Sequence, residues 1–454
     1  MIKLIVIIAA GGWFLYALLK RPDWLAILFF TVAIADINFD PPGSPLNFRT
    51  LICLVLFFKV ISDKFRPPDP TFMNTPASLY VIAFLAYVIF ITWYNDLLTA
   101  TLVKELLLSL MCVYLAFYYF MKEGGYRIFK ISLVISGFVC LADLAWTYKQ
   151  GYGLFIQRVY YLFVPAFEVI NHNFFGYICA SAFVFLLGDY LAKKENNKWN
   201  LWLMPFMFLG VMLSTSRSAL LIMVIISVVL IARGLLSRED NTRAYRLIVV
   251  SFSCLVLCIF MFPLLSGLFG LDNEFLETIT GRLIDEPLAM LNRALGKNFD
   301  VQSLDSMDWR SEASDIAINA FTKVISPGER IFGIGNDGFM DRGLGYMGTY
   351  AAHNGILLML IEFGIIGFTM FHLFLIYLVV KTTRRGYFSP LSVVLVFIFL
   401  YVISHNRETT SLFAFLLMGT MAAEGVYEPQ EEFVEEEEEV EPLTEMPLAP
   451  NNLN

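Results

Sequence analysis

Three short clusters in this 454-residue sequence bring together residue types that grip phosphate oxygens or move protons. The first, Ser214-Thr-Ser-Arg-Ser-Ala219, sets Arg217 between two long apolar runs with almost no loop. A guanidinium so close to hydrocarbon is costly and usually functional. Its planar fork binds phosphate oxygens through two parallel hydrogen bonds. The plain alternative is an arginine snorkelling to the headgroups. The second cluster joins Asp308-Trp-Arg-Ser-Glu312 to Ile331-Phe-Gly-Ile-Gly-Asn336. It supplies Arg310, and its Gly333 and Gly335 let backbone approach a ligand or another helix. It follows no strand of a βαβ unit and is no dinucleotide fingerprint. The third, Ala352-His-Asn-Gly-Ile356, runs into Leu360-Ile-Glu-Phe-Gly-Ile-Ile-Gly367. His353 can exchange a proton near neutral pH, although a lone His is more often a packing residue. Glu362 lies about 14 Å deeper by helical rise. It is either functional or the partner of a buried cation.

The elements that must position these residues are membrane helices. The chain is 58% hydrophobic and 16% charged, against about 45–50% and about 25% in soluble domains. The excess sits in runs near the roughly 20 residues that a spanning helix needs. Solid runs of this kind exclude a transmembrane barrel, whose segments alternate over about ten residues. The runs predict an all-α polytopic membrane protein with about 12–13 transmembrane helices. They fall near 2–19, 23–38, 48–62, 77–94, 101–120, 127–147, 172–192, 199–215, 217–236, 245–268, 354–380, 387–404 and 410–425. The second, third and last are short enough to be re-entrant or interfacial.

Lys and Arg cluster in every second connection, as at Lys193/Lys194/Lys198 and Lys381/Arg384/Arg385. Basic short loops stay in the cytoplasm. The three clusters above therefore face outward, the N-terminus lies outside and the C-terminus inside. The body is expected to span 1–427, with one large outer loop at 269–352. Such loops usually carry function. The remainder, 428–454, holds ten of the 40 acidic residues and no Lys or Arg. The net charge of −8 thus belongs to this tail, which should be solvated and disordered, and says nothing of nucleic acid. The six cysteines (Cys53, Cys112, Cys140, Cys179, Cys254, Cys258) all lie in apolar runs without a metal-binding spacing, and read as packing residues. The first run has no clear cleavage site and reads as an uncleaved helix.

Taken in order, the three clusters resemble the O-antigen ligase and polymerase superfamily of bacterial envelopes. That family has a T-x-S-R-[GS]-A turn, a large outer loop with an arginine element and a G-x-G element, and a closing H-N-x-x-L…E-x-G-x-x-G helix. This sequence has Thr215-Ser-Arg-Ser-Ala219, Arg310 through Gly333-Ile-Gly335, and His353-Asn-Gly-Ile-Leu357 with Glu362-Phe-Gly364 and Gly367. Asn171-His-Asn173 also resembles the family's N-x-N segment. The resemblance covers about residues 165–380. There are departures: the Trp that normally follows the loop arginine precedes it here, as Trp309. Arg282 and Arg330 compete for the role of Arg310.

The resemblance implies glycosyl transfer from an undecaprenyl-pyrophosphate-linked glycan at the periplasmic face of the inner membrane. Arg217 and Arg310 would hold the pyrophosphate as it leaves, and His353 would accept the acceptor hydroxyl's proton or orient the donor. Arg282, Arg330, Asn354, Asn173, Gly333, Gly335 and Glu362 would complete the substrate site. Guanidinium groups do this without a metal or cofactor. The sequence has no Asp-x-Asp pair to suit a metal-bound nucleotide sugar. Within the family the acceptor can be another glycan (polymerase), lipid A core (ligase), or a protein Ser or Thr. Polymerase or ligase is preferred, and a chain-length regulator is a candidate partner. The competing class is a transporter of the same lipid-linked glycans. Its ion pathway would use Asp36, Lys59, Asp143, Glu362 and His372. The two halves show no inverted repeat of the transporter kind.

Overall fold

Side-chain caps start the helices that carry the site. Thr75 accepts the Ser78 amide, and Pro76 occupies the first turn. Thr99 caps the Leu102 amide, and Asn354 caps that of Leu357 at 3.1 Å. Each satisfies one of the orphan N–H groups that every helix start leaves open. The computed structural model describes residues 22–35, 48–63, 72–122, 124–149, 158–160, 169–192, 199–236, 245–248, 305–345, 354–383, 389–403 and 412–426, with Gly12 and Tyr16.

The body runs α1 (Pro22–Ile34), α2 (Phe48–Asp63), α3 (Pro76–Tyr94), α4 (Ala100–Met121), α5 (Gly125–Lys149), α6 (His172–Leu191), α7 (Trp199–Ser214) and α8 (Arg217–Leu236). The long loop after α8 contributes α9 (Asp305–Asn319), a π turn (Ala320–Val324), α10 (Pro327–Phe332) and α11 (Gly338–Asp341). The body then closes with α12 (Gly355–Thr382), α13 (Pro390–Ile403) and α14 (Leu412–Val426). Eleven of the expected spans thus meet a helix. The runs at 2–19 and 245–268 fall largely outside the described residues, as does the acidic tail. Among the described residues, six helices are long and apolar enough to cross a membrane. The fold is all-α and polytopic, with one addition: a short antiparallel ribbon pairs Arg158–Tyr160 with Val169–Asn171 and leads directly into α6.

The central helix is α6, with 89% of its spanning window buried. It packs against α5, α7, α8 and α13. By contrast α8 exposes Leu221, Val224, Ile225, Val228 and Val229. A helix apolar on all sides and exposed on one is suited to lipid contact. At the far end of α6, Asp189 is fully buried. It accepts from Lys130 Nζ at 2.7 Å, the Tyr126 hydroxyl at 2.6 Å and Asn200 Nδ2 at 2.8 Å. A buried carboxylate is tolerated when its lone pairs are satisfied in this way. The cluster ties together α5, α6 and the start of α7. Cys53, Cys112, Cys140 and Cys179 are free and buried, as packing residues should be.

The long loop after α8 has its own small core. Ala317, Ala320, Ile325, Ile334 and Phe339 close over Leu358 and Ile361 of α12. The sequence suggested a helix starting near Arg310, with Trp309, Ile316 and Phe321 turned to the membrane surface. The helix instead begins at Asp305. Ala313 and Ala317 of this helix and Ala320 of the π turn are buried, with Phe321 partly buried against the loop core, while the Trp309 side chain lies outside the described residues. Alanines permit the close approach that the larger residues would block.

Candidate functional site

The site is organised by a break in α12. Gly364 has φ 63° and ψ −176°, a conformation inside the helix that is essentially glycine-only. The break frees carbonyls that would otherwise lack partners, and the Gly-rich segment of the loop supplies donors to them. Ile334 N–H donates to Ile361 O at 3.2 Å and Gly335 N–H to Glu362 O at 2.8 Å. The Tyr87 hydroxyl of α3 bridges the Phe332 and Phe363 carbonyls at 2.6 and 3.1 Å. Asn336 N–H reaches Thr92 Oγ1 at 3.0 Å. Gly333 and Gly364 meet backbone to backbone: a Cβ on either would overlap the other's segment. The Gly-Ile-Gly and Glu-Phe-Gly motifs are therefore two halves of one joint, lashed to α3.

The joint opens on a cavity of about 330 Å³ between α3, α4, α12, α14 and the loop. Glu362 lines it with Glu105, Asn336, Asp337, Thr99 and Gly355. Glu362 is 6% exposed. Glu105 is held from behind by the buried Arg49 of α2, Nη2 to Oε2 3.4 Å. The sequence reading missed Glu105 and Arg49. The signal was present: a Lys-Glu pair one turn inside an apolar run, and an Arg at the start of another.

The second group lies on α6 and α8. Ser214 Oγ accepts the Ser216 amide at 3.2 Å, and Thr215 takes the left-handed conformation, φ 53°. The turn is buried against the start of α6, where a Cβ on Gly176 would collide with Ser214 and Ser216. This fixes Arg217, partly exposed, at the first position of α8. Ser216 Oγ is buried and has no hydrogen-bond partner among the described residues. Nearby, Tyr401 of α13 donates to Asn173 O at 2.9 Å and packs on Tyr177 at 4.7 Å. The start of α14 links the two groups. Its Phe413 meets Tyr177 edge-on at 5.8 Å, and its Phe415 lines the cavity.

The structure thus joins Gly333, Gly335 and Glu362 at one cavity, and gives Asn354 the role of cap where that cavity meets α12. Asn173 belongs to the Arg217 group through its carbonyl. His353 and Arg282 lie outside the described residues, and Arg310 is described only as a backbone position on α9. Arg330 has a structural occupation: Nη2 donates to Thr322 O at 2.5 Å and Nε to Ile325 O at 3.3 Å. It caps carbonyls of the π turn. Of the proposed ion-pathway groups, His372 donates from Nδ1 to Phe368 O of its own helix at 2.7 Å. It packs between Phe368, Phe371 and Phe399.

One ion pair clamps the loop. Arg342 Nη1 meets Glu329 Oε1 at 2.6 Å and its Nη2 donates to Asn95 Oδ1 at 3.0 Å. Glu329 also completes a capping box with Ser326. The Arg342 hydrogen bond, then the Ser326 amide, hold the Glu329 carboxyl below its usual range. A depressed carboxyl contributes stability above its unfolded pKa of about 4.3 and loses it as pH falls through the lower folded value. Amide exchange over 326–343, corrected for intrinsic rate, should accelerate as pH drops below about 4. Glu329→Gln should remove that pH dependence. At this exposure the pair is worth about 1 kcal/mol or less.

Residues 202–372 match a family model described as O-antigen ligase. No curated protein matches the chain.

Proposed function

We propose that this chain, whose residues 202–372 match a family model described as O-antigen ligase, transfers or polymerises glycan carried on undecaprenyl pyrophosphate. The reaction would take place at the outer face of the bacterial inner membrane. One observation carries this reading: the Gly333-Ile-Gly335 and Glu362-Phe-Gly364 motifs form a single joint beside a cavity at the capped start of α12.

In the proposed reaction an acceptor hydroxyl oxygen attacks the anomeric carbon of the donor. The bond from that carbon to the pyrophosphate oxygen breaks, and undecaprenyl pyrophosphate leaves with the electron pair. His353 takes the hydroxyl proton. Arg217 stands at the N-terminus of a 20-residue helix, where open amides and the helix dipole favour an anion. Its guanidinium grips the departing pyrophosphate oxygens, and Arg310 is proposed to assist. No metal is required in this scheme. Polymerase or ligase activity is favoured over transfer to protein, and a chain-length regulator is a proposed partner.

The test is purified protein in detergent with undecaprenyl-pyrophosphate-linked glycan extracted from cells that carry this chain. Longer or transferred glycan with release of undecaprenyl pyrophosphate is the expected result. Reconstituted vesicles that translocate the lipid-linked glycan and form no new glycosidic bond would identify a transporter and end this reading.

A further inference from the structure

We infer that the long loop dips back into the bilayer. In this reading α10 and residues 333–335 form a re-entrant tip, and the exposed Ile331 and Phe332 side chains rest on the acyl chains of the surrounding phospholipid. The inference concerns where the loop sits and holds whatever bond the site makes.

Hydrogen bonds at three levels of α3 give the depth. This helix is a candidate span. Its 19 residues rise about 28 Å, close to the roughly 30 Å of a hydrocarbon core. Exposed Trp93 and Tyr94 mark one end of it, as aromatic side chains do at the headgroup level. Arg342 donates to Asn95 Oδ1 just beyond that end. Asn336 N–H donates to Thr92 Oγ1 within it. Phe332 O accepts from the Tyr87 hydroxyl, two turns before the end and about 10 Å deeper by helical rise. A second span gives a similar depth. The same hydroxyl reaches Phe363 O, which lies about 12 Å by helical rise from the start of α12 at Gly355.

Polarity follows depth. The charged groups Glu329 and Arg342 pair at 2.6 Å at the level of Asn95. At the level of Tyr87 stand Ile331 and Phe332, 44% and 49% exposed. Arg330, beside them in sequence, turns its guanidinium to the Thr322 and Ile325 carbonyls. Phe90, one turn from Tyr87, and Ile365, next to Gly364, are also exposed. The tip therefore continues, at one depth, the apolar surface that both spans present to lipid. Hydrocarbon admits irregular backbone only where its polar groups are satisfied within the protein. The tip meets that condition. Residues 333–335 are buried. The Gly333 amide donates to Glu329 O, Ile334 to Ile361 O, Gly335 to Glu362 O and Gly338 to Gly335 O. A loop bathed in water needs no such complete set.

The experiment uses the full chain in phosphatidylcholine vesicles. Phe332→Cys, Val228→Cys and Asp341→Cys are each labelled with bimane, and the wild-type chain gives the background from native cysteines. Val228, near the middle of α8 and 60% exposed, is the lipid reference. Asp341, exposed beside Arg342, is the water reference. Iodide on both sides of the membrane quenches from water, and doxyl groups on lipid acyl chains quench from hydrocarbon. The label at 332 should lose its fluorescence to doxyl lipid and keep it in iodide, as at 228, while the label at 341 does the reverse. A label at 332 that behaves like the one at 341 puts the loop in water and overturns the inference. Quenching by neither agent also overturns it, since protein, such as a second copy of the chain, then covers the tip. If Phe332→Cys does not enter the membrane, Ile331→Cys takes its place with the same outcomes.

Discussion

Arg217→Lys should slow glycan transfer by about 10²-fold, with as much protein in the membrane as wild type. The turn that holds this residue is buried, closed by the Ser214–Ser216 hydrogen bond, and seated on Gly176. Lysine keeps the charge and the insertion topology. It loses the two parallel hydrogen bonds that a guanidinium makes to phosphate oxygens. Removing one pre-placed donor from a developing anion costs about 10²–10³ in turnover. Arg217→Ala should fall further. The measurement is product formed per unit of membrane-inserted protein. Lysine at wild-type speed would mean that positive charge alone suffices. Alanine at wild-type speed would remove Arg217 from the site and make Arg310 and Arg282 the next residues to test. A snorkelling arginine would accept lysine without loss, so the two explanations part on this one substitution.

Gly364→Ala should unfold the joint and abolish activity. Alanine would be forced into φ 63°, ψ −176°, a strain of about 1–3 kcal/mol. Its methyl would also overlap Gly333 N and Ile331 O, both main-chain atoms that cannot swing aside. The combined loss should reach about 4 kcal/mol, in the range that marks an exceptional single substitution. Gly343→Ala is the control. Gly343 also has positive φ, 64°, but a Cβ there meets nothing within 4 Å. It should cost about 1–2 kcal/mol, the left-handed penalty alone. Melting of the purified proteins, followed by intrinsic fluorescence, measures both. Equal effects at the two positions would mean that backbone strain, rather than the contact with Gly333, sets the cost.

The helices were legible because continuous apolar runs with basic flanks leave few other structures possible. The joint was only half legible. Gly333 and Gly335 signalled a close backbone approach. The partner was hidden, because Glu362-Phe-Gly364 sits in an apolar run that hydropathy reads as one unbroken helix. A break shows only when its carbonyls are seen to bond elsewhere. Arg330 looked equivalent to Arg310 in sequence. Its occupation with the Thr322 and Ile325 carbonyls depends on a π turn that no residue pattern announced. Glu105 and Arg49 were passed over for another reason. Each lies near the end of an apolar span, and their significance comes from pairing across 56 positions of chain.

The order in which the ribosome delivers these parts suits the joint. Residues 333–335 leave the ribosome ahead of 361–364, so in the proposed orientation, with the loop on the outer face, its amides can cross the membrane before the broken helix enters it. Were the order reversed, α12 would reach hydrocarbon with the Ile361 and Glu362 carbonyls unpaired, at several kcal/mol for each. In that orientation the segment that completes the helix would already be on the far side when the helix arrives. Insertion of α12 and docking of the loop would then be one event, and a ribosome stalled between them would leave a loop with nothing yet to hold.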